Sequence, residues 1–168
     1  MERILALSAE HDETLRPVVN EVATGLRDLH RTLMDSALGA YERDIAPVGG
    51  PGQKLQLLMY DPGFRWMRTL SGLMADIDEL IDSGFLSPLD AAAVRDEVSR
   101  LITPVEGDES EFASRYLEML QSDPSVVMSH AKVRRALNPL PVAEPAQIDD
   151  VREARREWGT RRKNRKRQ

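Results

Sequence analysis

Between about Thr14 and Ile45, the residues Leu15, Val19, Val22, Leu26, Leu29 and Leu33 recur at alternating spacings of four and three. Only a backbone with 3.6 residues per turn puts such positions on one side, so the run predicts a long helix with one packing face. That stripe has no shelter of its own and needs partner helices, which constrains the rest of the chain. Pro17 fits either the first turn of this helix, where its missing N–H is not needed, or a kink after a short preceding helix.

The partners are announced by a repeated grammar. Asp61-Pro62, Ser87-Pro88 and Asp123-Pro124 each join a capping side chain to a proline suited to the first helical position. The first of these helices carries Trp66, Leu70, Leu73, Ile77 and Leu80 and stops near Ser83-Gly84. The second carries Leu89, Val94, Val98, Leu101 and Ile102, with Asp90 completing an approximate capping box with Ser87, and ends before Pro104. A further helix holds Phe112, Tyr116, Leu117 and Leu120. The helix after Pro124 contributes Val127, Ala131, Val133 or Arg134, and Leu137. Leu55, Leu57, Leu58 and Met59 predict a short buried helix. No run alternates apolar and polar residues like a strand, so the expected fold is all-α, an antiparallel bundle of five to six helices over residues 1–138. The length of 168 residues suits one domain with a real core.

After Asn138 the composition changes. "NPLPVAEPAQ" reads as an extended proline-rich linker, residues 139–147, that ends the compact domain. Residues 148–168 read as a basic helix, "IDDVREARREW", broken by Gly159 and followed by a flexible tail, "TRRKNRKRQ", too charged to bury anything. Nine bases against two acids from Arg152 to Gln168 give this end +7, and the formal −5 of the whole chain therefore leaves −12 on the remainder. An acidic body ends in a basic arm.

Several functions are disfavoured by residue type. "GGPGQK", Gly49 to Lys54, resembles the front of a phosphate-binding loop, but Gln53 replaces the required glycine, Leu55 offers no oxygen to magnesium, and no strand precedes it. It reads as a turn between helices. The chain has no cysteine, hence no disulfide or thiolate site, and no serine in a nucleophile elbow. His11, His30 and His130 lie far apart without the ExxH pattern of carboxylate-bridged metal bundles, so no metal, cofactor or catalytic residue is assigned. Asp76, Asp78, Glu79 and Asp82 lack calcium-loop spacing and read as a solvated face. The amino-terminal run is too short and acidic for a signal peptide and no stretch approaches a membrane span, which points to a cytoplasmic protein.

The stretch Leu29 to Asp82, with its Pro-Val-Gly-x-Pro-Gly turn at 47–52 and its Asp-Pro-x-Phe-x-Trp segment at 61–66, resembles a functionally uncharacterised group of small bacterial all-helical proteins. Leu120 to Leu137 is similar to their later helices. The resemblance implies a helical fold and a bacterial origin and carries no catalytic residues.

Two readings of function stay open. In the first, the chain is a non-enzymatic helical interaction module, monomeric or self-associating. Its arm, Arg155, Arg156, Trp158, Arg161, Arg162, Lys163, Arg165, Lys166 and Arg167, contacts nucleic acid or an acidic protein, with the indole stacked on an exposed base. Docking of that arm on the acidic body is the competing use. In the second, the bundle is an enzyme or a carrier of a small ligand or metal, using the interior between His30, Tyr41, Trp66 and His130. Phe64, Trp66 and Arg68 have the composition of a binding hot spot and equally of a core anchor.

Overall fold

A computed structural model describes the backbone of residues 2–165 and the side chains of residues 12–164. Among the described residues the chain is all-helical: α1 (Glu2–Asp44), α2 (Pro51–Tyr60), α3 (Arg68–Asp82), α4 (Pro88–Ile102), α5 (Glu111–Ser122), α6 (Pro124–Leu137) and α7 (Ile148–Arg165). Two short 3-10 turns, Pro62–Met67 and Pro145–Gln147, lead into α3 and α7.

Helix α1 is the spine. Val19, Val22, Leu26, Leu29 and Leu33 are all fully buried, and the helix packs along α6, α3 and α4. It begins at Glu2 and runs through Pro17, so the proline lies inside the helix rather than at its start. The lost N–H at Pro17 is set beside strong tertiary anchoring. Arg16 pairs with Asp12 at 2.6 Å and donates to the carbonyls of Ile81 and Gly84, while Asp12 accepts the N–H of Leu86 at 2.8 Å. These bonds fasten α1 to the α3–α4 turn, which Gly84 closes with φ of 93°. At the other flank Gly25 lets α6 approach, a Cβ there meeting Val133 Cγ2 at 3.3 Å, and Thr32 shares a 3.0 Å hydrogen bond with Ser129.

The starts at Ser87 and Asp123 form as the sequence indicates, whereas Asp61 caps the 3-10 turn Pro62–Met67 and α3 begins at Arg68 without a side-chain cap. Asp61 accepts from the N–H of Gly63 at 2.7 Å, Asp123 from that of Ser125 at 2.8 Å, and Ser87 and Asp90 complete a capping box. The helical phase of α6 differs from the expectation, since Val126 is buried and Val127 exposed. Two adjacent valines satisfy either phase, and packing on α1 selects one. The short helix α2, expected to be buried, buries no residue, because no other helix crosses its outer side. At its start the Gly49 N–H donates to Gln53 Oε1 at 2.8 Å, a local bond inside the turn.

The largest correction concerns the carboxyl end. Segment 139–147 does not end the compact unit: Leu140 is buried, and Arg95 donates to the carbonyls of Leu137, Asn138 and Leu140 at 3.0, 2.9 and 2.6 Å. Helix α7 then packs against α4 and α3, continues through Gly159 and reaches Arg165, so residues 160–165 are helical rather than disordered. Residues 166–168 lie outside the described residues. A glycine inside a helix costs only about 1 kcal/mol, which docking of the inner face outweighs. Trp158, at 0 % exposure, is part of the core. Its replacement by alanine is expected to lower stability by about 3–5 kcal/mol, read as a fall in the urea midpoint by circular dichroism.

Candidate functional site

The inner stripe of α7 is Val151, Arg155, Trp158 and Arg162, spaced four, three and four, which places them on one side of a helix. Its apolar members fill the core, and its two arginines meet a single acid. Asp76 of α3 has a side chain only 8 % exposed; its Oδ2 lies 2.8 Å from Arg155 Nη2 and its Oδ1 3.0 Å from Arg162 Nε. The Arg162 N–H is not aimed along that second line, so Oδ1 makes an ionic contact without a hydrogen bond. Arg162 also donates to the carbonyl of Gly72 at 3.0 Å. Arg155 reaches Glu97 at 3.3 Å and lies 5.3 Å from the Trp158 ring centroid, a cation–π distance. The indole N–H donates to Asp90 Oδ1 at 3.0 Å, and the other oxygen of Asp90 accepts from Ser87. One carboxylate thus caps α4 and satisfies the buried indole. Thr69, Leu101, Ser110 and Phe112 join these charges around a cleft of about 340 Å³ beside α7.

This geometry divides the basic residues named from sequence. Arg155 and Arg162 face inward and are held by acids of the same chain. Trp158 is buried, which overturns the expectation that it stacks on an exposed base. Arg161 is exposed and pairs with Glu157 at 3.0 Å. Arg156 and Lys163 are exposed and share a stripe with Arg152, a base outside the expected site that pairs with Asp149 at 3.4 Å. The side chain of Arg165 and residues Lys166 and Arg167 lie outside the described residues. Asp76 is equally a correction: it belongs to the core rather than to a solvated face. The signal was available, since Asp76 falls three residues after Leu73 and four before Leu80, on the apolar stripe of its helix.

Of the second set of residues, Phe64 and Trp66 belong to the core, His30, Tyr41 and His130 are half-buried, and Arg68 is exposed. Phe64 and Trp66 are buried and anchor the turn before α3 instead of forming an exposed hot spot. Trp66 lies 5.8 Å from Phe112, Phe112 stacks on Tyr116 at 5.3 Å, and the Tyr116 hydroxyl is 2.8 Å from His130 Nδ1. Burial pushes the Tyr116 phenol up, so it stays protonated and hydrogen-bonded. Tyr41 meets Phe64 at 6.1 Å, and exposed Arg68 donates to the carbonyl of Met59 at 3.3 Å. His130 is thus joined to Tyr116, a residue the sequence reading had placed in the core alone. Among the described residues no group of three or more His, Cys, Asp or Glu side chains is placed to hold a metal ion. No helix there is long and apolar enough to cross a membrane. No family model matches the chain, and neither a curated protein nor a solved structure matches it.

Two outcomes follow from these contacts. Asp76→Ala removes the carboxylate shared by two partly exposed guanidinium groups, of which Arg155 keeps Glu97 and Arg162 keeps the Gly72 carbonyl, and the expected loss is about 1–3 kcal/mol in urea unfolding; Arg155→Met and Arg162→Met added to Asp76→Leu should recover most of it. Burial holds His30 and His130 below the ordinary imidazole value of 6.5, with the charge of Arg134 adding to the effect at His130. The unfolded chain therefore binds protons more readily than the folded one, and stability present above pH 6.5 should fall as the pH drops below it. The His30→Gln, His130→Gln variant should flatten that fall, measured as the urea midpoint between pH 7.5 and 5.

Proposed function

We propose that this chain is a non-enzymatic helical interaction module, an antiparallel bundle that uses the outer side of its last helix to engage an anionic partner. The observation that carries the reading is the division of α7 into two faces. Arg155, Trp158 and Arg162 are spent on the body, whereas Arg152, Arg156 and Lys163 stand exposed on one stripe of the same anchored helix. The chain continues from there with Arg165, Lys166 and Arg167. A helix fixed by its inner face presents its outward charges with little loss of backbone freedom on binding, which favours affinity. Attraction by aligned cations works through phosphate or carboxylate neutralisation and is steeply salt-dependent. The buried indole removes base stacking from the scheme, so nucleic acid would be held by its backbone without sequence choice. The resemblance of segments 29–82 and 120–137 to small bacterial helical proteins belongs to the same proposal, as does a cytoplasmic setting.

Removing α7 is a poor test, because it also removes Val151 and Trp158 from the core. Substitution of outward charges separates binding from folding. Fluorescence anisotropy with labelled single-stranded RNA and duplex DNA should show binding by the full chain at low salt. Binding should weaken about tenfold or more in the Arg156→Glu, Lys163→Glu variant with an unchanged unfolding midpoint. Equal binding by both proteins, or none by either, would remove nucleic acid as the anionic partner.

A further inference from the structure

Helix α2 is the part of the chain that its own fold leaves unfinished. Its inner residues Leu57 and Leu58 lean on the core, but its outer side carries Leu55 at 57 %, Met59 at 51 % and Tyr60 at 73 % exposure. Leu55 and Met59 are one turn apart, and Gln56 and Tyr60 lie beside them, so the outer stripe bears no charge. Ile45, exposed at 69 %, lines a groove of about 340 Å³ with Tyr41, Phe64 and Met119 and with the charged Asp44, Asp61 and Arg115. Scattered exposed apolar residues need no explanation, but a contiguous patch on a short helix does.

We propose that α2 is a self-association surface covered by α2 of a second copy of this chain. Charge argues for that occupant. Each copy carries a formal −5, with −12 outside its last 17 residues, and two such bodies repel through most contacts. A twofold contact sets the same patch against itself, so a charged patch meets its own sign, while an uncharged stripe of Leu, Met and Tyr is complementary to itself. Area argues in the same direction. The four exposed side chains offer on the order of 500 Å² per copy, so a paired contact removes on the order of 1,000 Å² from water, about the lower bound for a specific interface. The groove beside Ile45 gives protruding side chains of the second copy a place to enter. This surface is separate from the basic stripe of α7, although it rests on the same reading of the chain as an interaction module.

The test is analytical ultracentrifugation of the full chain from low to high micromolar concentration, at 0.05 and 0.5 M salt. The expected result is a reversible monomer–dimer equilibrium that persists at high salt, because apolar contacts are not screened. Leu55→Glu, Met59→Glu should raise the dissociation constant by about tenfold or more, with no change in the unfolding midpoint measured at a concentration where both proteins are monomeric, since neither residue is buried. Arg156→Glu, Lys163→Glu should leave the dimer intact. A monomer at every concentration overturns the proposal, as does a dimer that the α2 substitutions leave unchanged. A dimer lost at high salt or in the α7 variant also overturns it and assigns association to the basic arm, so this proposal and the reading of α7 fail separately.

Discussion

The carboxylate of Asp76, buried between the guanidinium groups of Arg155 and Arg162, joins the acidic body of this protein to its basic end. Taking three ionised groups out of water is expensive, and their mutual attraction offsets that expense only while all three are present. The arrangement also selects a geometry. Arginines seven residues apart lie on the same side of a helix two turns apart, and Trp158 between them has one acceptor, Asp90, within reach. Any rotation of α7 about its axis breaks these contacts together, so the helix has one phase against α3 and α4.

That phase sets which basic residues stay at the surface. A basic tail of +7 looks from composition like a single electrostatic object. In the folded protein it becomes two: an inward half neutralised by Asp76 and Glu97, and a surface half in which Arg161 pairs with Glu157 and Arg152 with Asp149 while Arg156 and Lys163 are exposed. The self-docking reading of the arm and the partner-binding reading are therefore compatible, each using a different side of the same helix.

The two surfaces differ in physics as well as in position. In the proposed function the α7 stripe acts through long-range fields that attract anions and fade with salt. The α2 stripe acts only at contact, through apolar area, and discriminates by shape and by the absence of charge. The outer stripes of α2 and α7 share no residue, so the two proposed contacts do not compete for side chains. The aromatic series from Trp66 through Phe112 and Tyr116 to His130 serves neither surface directly and ties the turn before α3 to α5 and α6.

Much of this was legible in one dimension because it depends on local physics. The 4-3 stripe of α1, the capped starts at Asp61, Ser87 and Asp123 and the stop at Gly84 follow from helix periodicity and from backbone groups that need partners within a turn. The all-α class followed from these alone. What the sequence could not state was which of two equivalent faces would be covered: Val126 or Val127 in α6, the inner or the outer side of α7, and the apolar side of α2. Burial is a property of a neighbour, and that neighbour comes from a distant part of the chain. Asp76 looked like one member of an acidic run until α7 arrived from some 80 residues away, and Trp158 looked like a free aromatic until Asp90 met it. Sequence determined the helices and their ends through short-range hydrogen bonding, and tertiary packing alone decided which charged and apolar faces the molecule keeps for others.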